Sequence, residues 1–564
     1  MDPSYINALK RQTEEEVRVA EDALAEFAQL RTPREMAFEG HWEEVAELID
    51  PPSRNTFTYG SQNTPGEKKT DKQVDATGMQ ALERFKAICD SLITPRNQTW
   101  HTLAADNPYL MKNRRVQLFF EEATRALFKH RYAPNANFSA QNQGVFHSLG
   151  AYGTGSIFVD RFQAADRGGR GLRYKSLHLG STYFRENHQG LIDGLVRVLR
   201  MTARQMVQKW TEEKCPPQIC EAFQKRSENL FEVIHLVTPR ADYEPENVMS
   251  PKSKPFKSVY VSMTGKWLLE HDGYFSFPVA ASRYIQTPGE VYGRSPAMQV
   301  LPALKTLNAE KRTFLKQGHR AADPVLLTVE GGLVDFSMRP GAMNPGGMAM
   351  NGTRLVDVLP TGEIQISKEM MAEEKMLIND AFLVTLFQIL TETPTMTATE
   401  VIERTNEKGI LLAPTIGRQQ SEYLGPLIAR EIDVLSMEGL LPPMPPELRE
   451  ANGEYTVIYT SPLSRAMRAQ EAAGFMRTVE SVKEIVNITQ DPSLLDPFNF
   501  DTAIPAIAEI NAVPPSWMAG EDEIKQKRAA RADAQAKQQA IQAAPGQAAM
   551  MKAEAAAAEA QPAV

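Results

Sequence analysis

Acidic side chains recur along residues 367–390 at the spacing of one helix face. At about 100° per residue, Glu369, Glu373 and Asp380 lie within about 40° of one another around a helix axis. A row of carboxylates of this kind is typical of a solvated face, and it also repels any anion that passes it. The spacing does not single out a pair of carboxylates for acid–base catalysis.

A second charged stripe is basic and lies about fifty residues earlier. Its four cations recur at helical spacing over residues 305–320: Lys305, Arg312, Lys316 and Arg320. Such a stripe either faces solvent or pairs with acidic groups of a neighbouring element or chain.

Motifs for catalysis or metal binding are missing. The sequence contains no GxxxxGK[ST], HExxH or GxSxG pattern. Cys215 and Cys220 have no second cysteine pair to complete a zinc site, and the nine histidines are scattered. The glycine-rich stretches "GAYGTGS" and "RGGRGLR" are better interpreted as tight turns than as nucleotide sites. We therefore expect no catalytic residue, no metal and no cofactor.

Composition narrows the class of protein. The chain has 564 residues, a formal charge of −8 and only three cysteines. The negative charge argues against a protein that grips nucleic acid electrostatically, and the sparse cysteines favour a reducing compartment. The polar start lacks a signal-peptide core, and the most apolar window, "MLINDAFLVTLFQIL", is shorter than a membrane span. We expect no association with a membrane.

Two long helices must position the charged stripes. Ser295 and Pro296 are suited to open the first, and Pro302 predicts a bend near its start. Residues 323–366 contain short apolar runs and a Gly/Met/Pro-rich tip, which predict a small β-insert. Ser367 is suited to open the second helix, over 367–390. The pattern therefore predicts a helical stalk with a β-structured knob.

The rest of the chain predicts an α+β fold that is mainly helical. Helical patterns cover residues 3–48 and the stretch that ends at Pro95, while residues 150–290 alternate strand-like runs with a helix opened by a Thr202–Gln205 capping box. Further helices are predicted to end at Gly439 and to cover about 463–485, with the strand-like run "YTVIYTSPLS" before the latter. From about 519 the Ala/Gln-rich sequence is either helical or disordered.

Seven segments follow one another in a characteristic order. They are "DATGMQALERFKAICDSLITPRNQTW", "FHSLGAYGTGSIFVD", "VRVLRMTARQMVQKW", "GEVYGRSPAMQVLPALKTLNAEKR", "ADP", "PTMTATEVIERTNEKGILLAPTIGRQQSEYLGPLIARE" and "SPLSRAMRAQ". Their order resembles the head-to-tail connecting (portal) proteins of short-tailed double-stranded DNA bacteriophages, and the resemblance covers roughly residues 5 to 515.

This resemblance implies a subunit of a ring, normally of twelve copies, at one vertex of the capsid. It implies a division of the chain into wing, paired stem helices, clip and crown. The expected boundaries are wing 1–290, first stem helix 291–322, clip 323–366, second stem helix 367–390, channel loop and wing helices 391–450, crown 451–518 and tail 519–564. The candidate channel-loop residues are Glu392, Thr393, Pro394, Thr395 and Met396.

The resemblance also implies partners and a location. Double-stranded DNA would pass through the channel, and the ring would contact the terminase large subunit, tail adaptor or tail tube proteins, and the major capsid and scaffolding proteins. The protein would assemble in the host bacterial cytoplasm and remain in the virion. We expect Glu369, Glu373 and Asp380 to line the channel, and the basic stripe to lie at a subunit interface or form basic rings.

Two other classes of protein stay open on the sequence alone. One is a nucleic-acid-processing enzyme that uses residues 75–290 as its catalytic domain, and the other is a helical scaffold or adaptor. The enzyme would need His and carboxylate groups gathered in a pocket. The number of subunits separates the three, since a closed ring of about a dozen favours the connector.

Overall fold

The computed structural model describes residues 12–60, 66–162, 170–246, 250–328, 337, 339–360, 364–385, 417–451, 453–460, 462–490, 492–510, 513, 517–520 and 523–538. The chain divides into two compact units. The first comprises residues 1–100, 126–441 and 461–470, and the second comprises 101–125, 442–460 and 471–564. The α+β class predicted from the sequence is confirmed; assembly as a ring and the wing, clip and crown boundaries stay predictions.

The described residues contain both strands and helices. The strands are β1 His101–Ala105, β2 Thr154–Arg161, β3 Leu172–Ser176, β4 Thr182–Glu186, β5 Ile192–Thr202, β6 Leu230–Pro239, β7 Phe256–Ser262, β8 Trp267–Tyr274, β9 Val279–Arg283, β10 Leu326–Thr328, β11 Val356–Val358 and β12 Tyr455–Tyr459. The helices are α1 Glu14–Arg34, α2 Gly40–Leu48, α3 Thr77–Ile93, α4 Arg114–Arg131, α5 Phe138–Tyr152, α6 Ala203–Lys214, α7 Pro217–Gln224, α8 Pro296–Gln299, α9 Leu301–Ala322, α10 Ile364–Ala381, α11 Gly425–Met437, α12 Pro446–Glu450, α13 Pro462–Thr489 and α14 Phe500–Ile510. A further helix covers 523–538.

A five-stranded antiparallel sheet forms the centre of the first unit. Its strand order is β4-β5-β6-β7-β8. Successive side chains of a strand point to opposite faces. Ile234 and Leu236 of β6 therefore pack with Phe27 of α1 on one face, whereas Val233 packs with Trp210 of α6 on the other. Helices cover both faces, so the strands are apolar on both sides.

A smaller sheet of order β3-β2-β9 lies in the same unit, and α5 leads directly into its central strand. Gly153 ends α5 in the left-handed conformation, with φ of 78°. A Cβ at this position would lie 2.2 Å from the carbonyl oxygen of Gly293. Only glycine satisfies both the backbone conformation and the close approach.

The second unit contains a ladder between distant parts of the sequence. β1 pairs antiparallel with β12, from His101 opposite Tyr459 to Ala105 opposite Tyr455. Phe475, Phe498 and Phe500 form ring contacts at 5.9–6.3 Å between centroids in the same unit.

The helix at 523–538 confirms the helical alternative for the first part of the tail, and Arg528 there pairs with Asp501.

Local signals predicted most elements of the first unit. The Thr202–Gln205 capping box is confirmed, because each side chain bonds the backbone N–H of the other residue. The strands β2 to β7 and the helix end at Gly439 are also confirmed. The strands β1, β8 and β9 were missed. β8 contains Glu270, His271, Asp272 and Gly273, which rarely favour a strand, and only pairing with β7 makes it one.

A buried polar cluster fastens the end of α2 to α5. The Asp50 carboxylate accepts a hydrogen bond of 2.7 Å from the Tyr152 hydroxyl and lies 3.1 Å from Nε2 of His147. Nearby, Nδ1 of His178 accepts from a backbone N–H, so its Nε2 donates to Ser53 Oγ at 3.2 Å. Burial acts to raise the pKa of Asp50, but the His147, Ser53 and Tyr152 contacts outweigh it and lower the pKa to about 2.

This lowered pKa predicts a pH-dependent contribution to stability. A depressed carboxyl pKa stabilises the fold above the unfolded value of about 3.8, and that stabilisation is lost as the pH falls towards 2. We expect Asp50→Asn to be less stable by about 2 kcal/mol at pH 6. Urea unfolding of both proteins between pH 6 and 3 should show the difference shrinking as the pH falls. Asp22→Asn, at an exposed site on α1, is the control; a difference that stays constant would contradict the assignment.

Candidate functional site

The helix pair predicted to carry the charged stripes is present, with a break near the start of its first member. The Ser295 side chain accepts a hydrogen bond of 3.0 Å from the backbone N–H of Met298, which confirms the predicted cap. The chain leaves helical geometry at Val300 and restarts as α9, with Pro302 in the first turn. The predicted bend is therefore a break at Val300, two residues before Pro302. Pro302 lies in the first turn of α9, where the missing backbone N–H of a proline costs no helical hydrogen bond.

The second helix differs from its predicted limits. α10 begins at Ile364, before Ser367, and ends at Ala381 rather than continuing to 390. Leu383 adopts φ of 61°, a left-handed conformation that no helix continues through. Residues 386–390 lie outside the described part of the chain.

The helix pair is anchored at one end of each helix. Leu301, Leu304 and Leu307 of α9 are buried in the main core, together with Ile378 and Phe382 at the end of α10. The Phe382 ring packs against Phe85 of α3 at 6.1 Å between centroids. None of the described residues from 308 to 328 is buried. The far half of α9 is therefore surface.

Polar contacts fix the orientation of the anchored end. Asn308 of α9 accepts from the backbone N–H of Val74 at 2.8 Å and donates to the carbonyl of Lys72 at 3.0 Å. Lys375 of α10 lies 3.7 Å from Asp75. Both helices are thus tied to the same loop before α3.

The three acidic residues of the predicted stripe share an exposed face of α10. Glu369, Glu373 and Asp380 are all exposed. Met376 is 63% exposed and lies within about 60° of them around the helix axis. The geometry places the three carboxylates on one accessible surface; whether that surface faces a channel stays a prediction.

The basic stripe of α9 makes contacts inside the chain. Lys305 forms an ion pair of 2.8 Å with Glu44 of α2, and both side chains are about half exposed. Arg312 donates to the carbonyl of Lys72 at 2.7 Å. Lys316 and Arg320 are exposed farther along the helix. The first half of the stripe therefore helps to hold α9 against its own unit.

Apolar side chains on α10 divide into two lines. Helical periodicity places five apolar residues on the side opposite the acids: Met370, Leu377, Ile378, Ala381 and Phe382. Ile378 and Phe382 are buried together with Met371, whereas Met370 and Leu377 are each 51% exposed. The exposed line lies between the buried line and the acidic stripe. It is an apolar surface that its own chain leaves uncovered.

The segment between the helices contains the predicted β-structure. β10 pairs antiparallel with β11, from Leu326 opposite Val358 to Thr328 opposite Val356. Exposed large apolar side chains are concentrated here and on the helix pair: Leu315, Val325, Leu327, Met343, Met348, Met350, Leu355, Val358, Leu359, Met370, Met376 and Leu377. A contiguous chain segment this rich in exposed apolar groups is typical of an interaction surface.

One pair of acids was not singled out by sequence reasoning. Burial and the neighbouring Glu374 carboxylate on α10 raise the pKa of Glu310 on α9. The two residues are 64 positions apart, so only the packing of the helices brings their charges together. No short-range spacing in the sequence carries this signal.

The candidate channel-loop residues Glu392, Thr393, Pro394, Thr395 and Met396 lie outside the described residues. Within the described ranges, no group of three or more His, Cys, Asp or Glu side chains could hold a metal ion. In that same part of the chain, no helix has the length and apolarity needed to cross a membrane.

Comparison with known proteins covers nearly the whole chain. The model of the family described as "Bacteriophage head to tail connecting protein" matches residues 20–518. The "Probable portal protein" of Bordetella phage BPP-1 is 28% identical over 530 residues, and the "Portal protein" of Salmonella phage epsilon15 is 26% identical over 525 residues. Both matches cover 91% of this chain and 91% of the relative.

One solved structure was also similar at a low level. A chain from the virion of a native gene transfer agent particle covers 72% of this chain and 86% of its own length, with 12% identity and a TM-score of 0.33. The assignment to a family rests on the family match and not on this structure. The match extends over both units and over the helix pair with its strand insert. The chain belongs to the bacteriophage head-to-tail connecting protein family.

Proposed function

We propose that this chain is the subunit of a phage portal, a closed ring at one capsid vertex through which double-stranded DNA enters and leaves. The observation that carries the proposal is the uncovered surface of α9, α10 and the β10–β11 insert, in a chain of the connecting family. Long helices suit a channel wall, because they satisfy their own backbone hydrogen bonds and pack side by side around an axis.

Ring closure explains the exposed apolar line of α10. In a cyclic ring each subunit presents one surface to the next, and the last contact closes on the first. Met370 and Leu377 would be buried against a neighbouring α9, where Leu315 is also exposed. We propose about twelve subunits for this ring.

The insert and the other surfaces of the subunit would contact the partner proteins. The exposed methionines of the insert, Met343, Met348 and Met350, form an adaptable surface that suits successive partners: first the terminase large subunit, later tail adaptor or tail tube proteins. The other unit surfaces would contact major capsid and scaffolding proteins. The subunit acts as a structural component of the virion rather than as an enzyme, and it assembles in the host bacterial cytoplasm.

Native mass spectrometry of the purified protein, with negatively stained particles beside it, tests the proposal. Closed rings of about twelve subunits with an open centre are the expected result. A monomer or dimer at every concentration and salt condition, including in the presence of scaffolding protein, would overturn it.

The acidic stripe supports a further expected result. If Glu369, Glu373 and Asp380 face the channel, changing all three to lysine replaces repulsion of DNA phosphates with attraction. Rings of the triple variant should retain double-stranded DNA at about 50 mM salt and release most of it at about 200 mM, since each phosphate contact releases counterions. Filter binding measures this retention.

The matched control moves the same charges to another surface. Glu213, Glu221 and Glu228 are exposed residues at and around α7, and their change to lysine alters the net charge equally. Retention that is equal in both triple variants would show a general charge effect. That result would mean that the acidic stripe does not line the channel.

A further inference from the structure

A cavity unrelated to the helix pair opens on the first unit. It has a volume of about 460 Å³ and lies between α6, the strands β7 and β8, and α11. Cavities of this size hold small organic ligands. Trp210, Tyr260, Tyr274 and Phe275 contribute aromatic wall, and Phe275 is 51% exposed at the surface.

A row of side chains crosses four strands beneath the cavity, and two of them, Tyr260 and Glu270, line it. Arg197, His235, Tyr260 and Glu270 are direct neighbours in the sheet register, on the face opposite α1. The Arg197 Nε donates to Nδ1 of His235 at 2.7 Å, and the His235 ring stacks on Tyr260 at 3.9 Å. His235 is therefore a neutral acceptor, and the buried cation of this row is Arg197.

The pKa values of nearby bases also report a positive potential. Burial lowers the pKa of His235 well below its usual value, and the charges of Arg197 and Lys209 lower it further. Burial lowers the pKa of Lys175 as well, and Arg197, Arg173 and Lys209 add to the effect. Cations thus outweigh acids on this side of the sheet.

Of the four acids that line the cavity, one is paired with a cation and the others accept hydrogen bonds from neutral N–H groups. Asp272 accepts from Lys254 at 2.6 Å, and Glu270 accepts from the Trp210 indole N–H at 2.7 Å. Glu438 accepts from the backbone N–H of Gly171 at 2.6 Å. Asp160 accepts from the backbone N–H of Arg161 at 2.8 Å. The carboxylates held by neutral N–H groups keep their charge, and the lining still contains one more cation than acids: Arg161, Lys209, Lys214, Lys254 and Arg430 against Asp160, Glu270, Asp272 and Glu438.

Two of the lining cations form no hydrogen bond or ion pair with a carboxylate among the described residues. Arg430, 3% exposed, donates to the carbonyls of Val159 and Ser276 and to the Ser276 hydroxyl, at 3.1–3.5 Å. Lys209 has its ammonium 3.6 Å from the centroid of the Tyr260 ring. The charges of Asp160 and Asp433 act on Arg430, but neither carboxylate accepts a hydrogen bond from it. A buried guanidinium beside a cavity, without a hydrogen-bonded carboxylate, favours binding of an anion.

A strained backbone position lies at the same wall. Thr211 follows Trp210 within α6 and adopts φ of 66° and ψ of 163°, a conformation that is essentially restricted to glycine. Such strain costs about 1–3 kcal/mol and is concentrated at functional sites. The interruption of α6 falls where the helix borders the cavity.

We propose that this cavity binds a small organic anion, with its phosphate or carboxylate near Lys209 and Arg430 and a flat apolar body against Tyr274 and Phe275. The cations supply the attraction, and the aromatic wall makes an inorganic ion a poorer ligand than a ring-bearing one. The inference does not depend on ring assembly, because every group named belongs to the first unit of one chain.

Isothermal titration calorimetry of the full chain tests the cavity with four probes. The probes are deoxyadenosine monophosphate, indole-3-acetate, deoxyadenosine and inorganic phosphate. We expect at least one of the two ring-bearing anions to bind at least about tenfold more tightly than deoxyadenosine and phosphate, a difference of about 1.4 kcal/mol. The better of the two identifies the acidic group as phosphate or carboxylate.

Substitutions locate the binding. Lys209 and Phe275 are exposed, so Lys209→Gln and Phe275→Ser should fold normally, and Lys209→Gln should weaken the ring-bearing anion about tenfold. Lys225→Gln, at an exposed lysine that does not line the cavity, should leave binding unchanged. Failure of both ring-bearing anions to bind, or binding that Lys209→Gln and Phe275→Ser leave intact, would overturn the proposal.

Discussion

Leu377→Asp should abolish ring assembly while leaving the subunit folded. Leu377 is 51% exposed in the isolated chain and belongs to the apolar line beside the acids of α10. In a ring the change removes about 1–2 kcal/mol of apolar burial and adds the desolvation of a carboxylate, together roughly 3–5 kcal/mol for each subunit contact. Every contact of a closed ring carries the same change, so native mass spectrometry should show monomers.

The experiment has a matched control. Leu230 is 60% exposed at the start of β6, away from the helix pair, and Leu230→Asp should assemble into rings with the normal subunit number. Circular dichroism and thermal unfolding establish that both variants are folded. Normal rings from Leu377→Asp would mean that this line of α10 faces solvent or the channel, and the interface would have to lie elsewhere.

The apolar side of α10 shows a limit of sequence patterns. Helical periodicity places five apolar side chains opposite the acids, and in the structure two of them, Ile378 and Phe382, are buried whereas Met370 and Leu377 are exposed. An apolar stripe shows which side chains avoid water, and it does not show whether the same chain or a second copy covers them. Where a subunit is completed by its neighbour, its own core and its interface have the same pattern.

The limits of prediction elsewhere have a similar cause. Signals contained within a few residues, such as the Ser295 cap and the Thr202–Gln205 capping box, identified helix starts correctly. Elements that depend on distant partners gave no local signal. β1 pairs with β12 across more than 350 residues, and the cation-rich cavity needs α6, β8 and α11 together. No spacing rule joins such positions.

Glu431→Ala should be the most destabilising single change in the first unit. Glu431 of α11 and Arg131 of α4 are fully buried, and Arg131 Nε donates to Glu431 Oε1 at 3.0 Å while a second bond joins Nη2 to Oε2. Tyr174 donates to the same carboxylate at 2.5 Å. Burial alone would lower the pKa of Arg131, but the Glu431 charge and hydrogen bonds raise it above its usual value.

Removal of the carboxylate leaves the buried guanidinium without a counter-charge, which costs about 3–5 kcal/mol. The cation cannot escape by losing its proton, and the rings of Trp100 and Phe128, at 4.5 and 4.8 Å, replace only part of the interaction. Thermal unfolding of Glu431→Ala beside Glu221→Ala measures the loss. Glu221 is the control because its ion pair with Lys225 is exposed and contributes little.

A double substitution separates the charge from the packing. Arg131→Met with Glu431→Leu removes both charges and keeps the site filled, so it should recover much of the stability that Glu431→Ala loses. The result bears on folding, because this pair joins helices about 300 residues apart in the sequence. If Glu431→Ala unfolds within about 0.5 kcal/mol of the exposed control, the pair is solvated in solution and the fold does not depend on it.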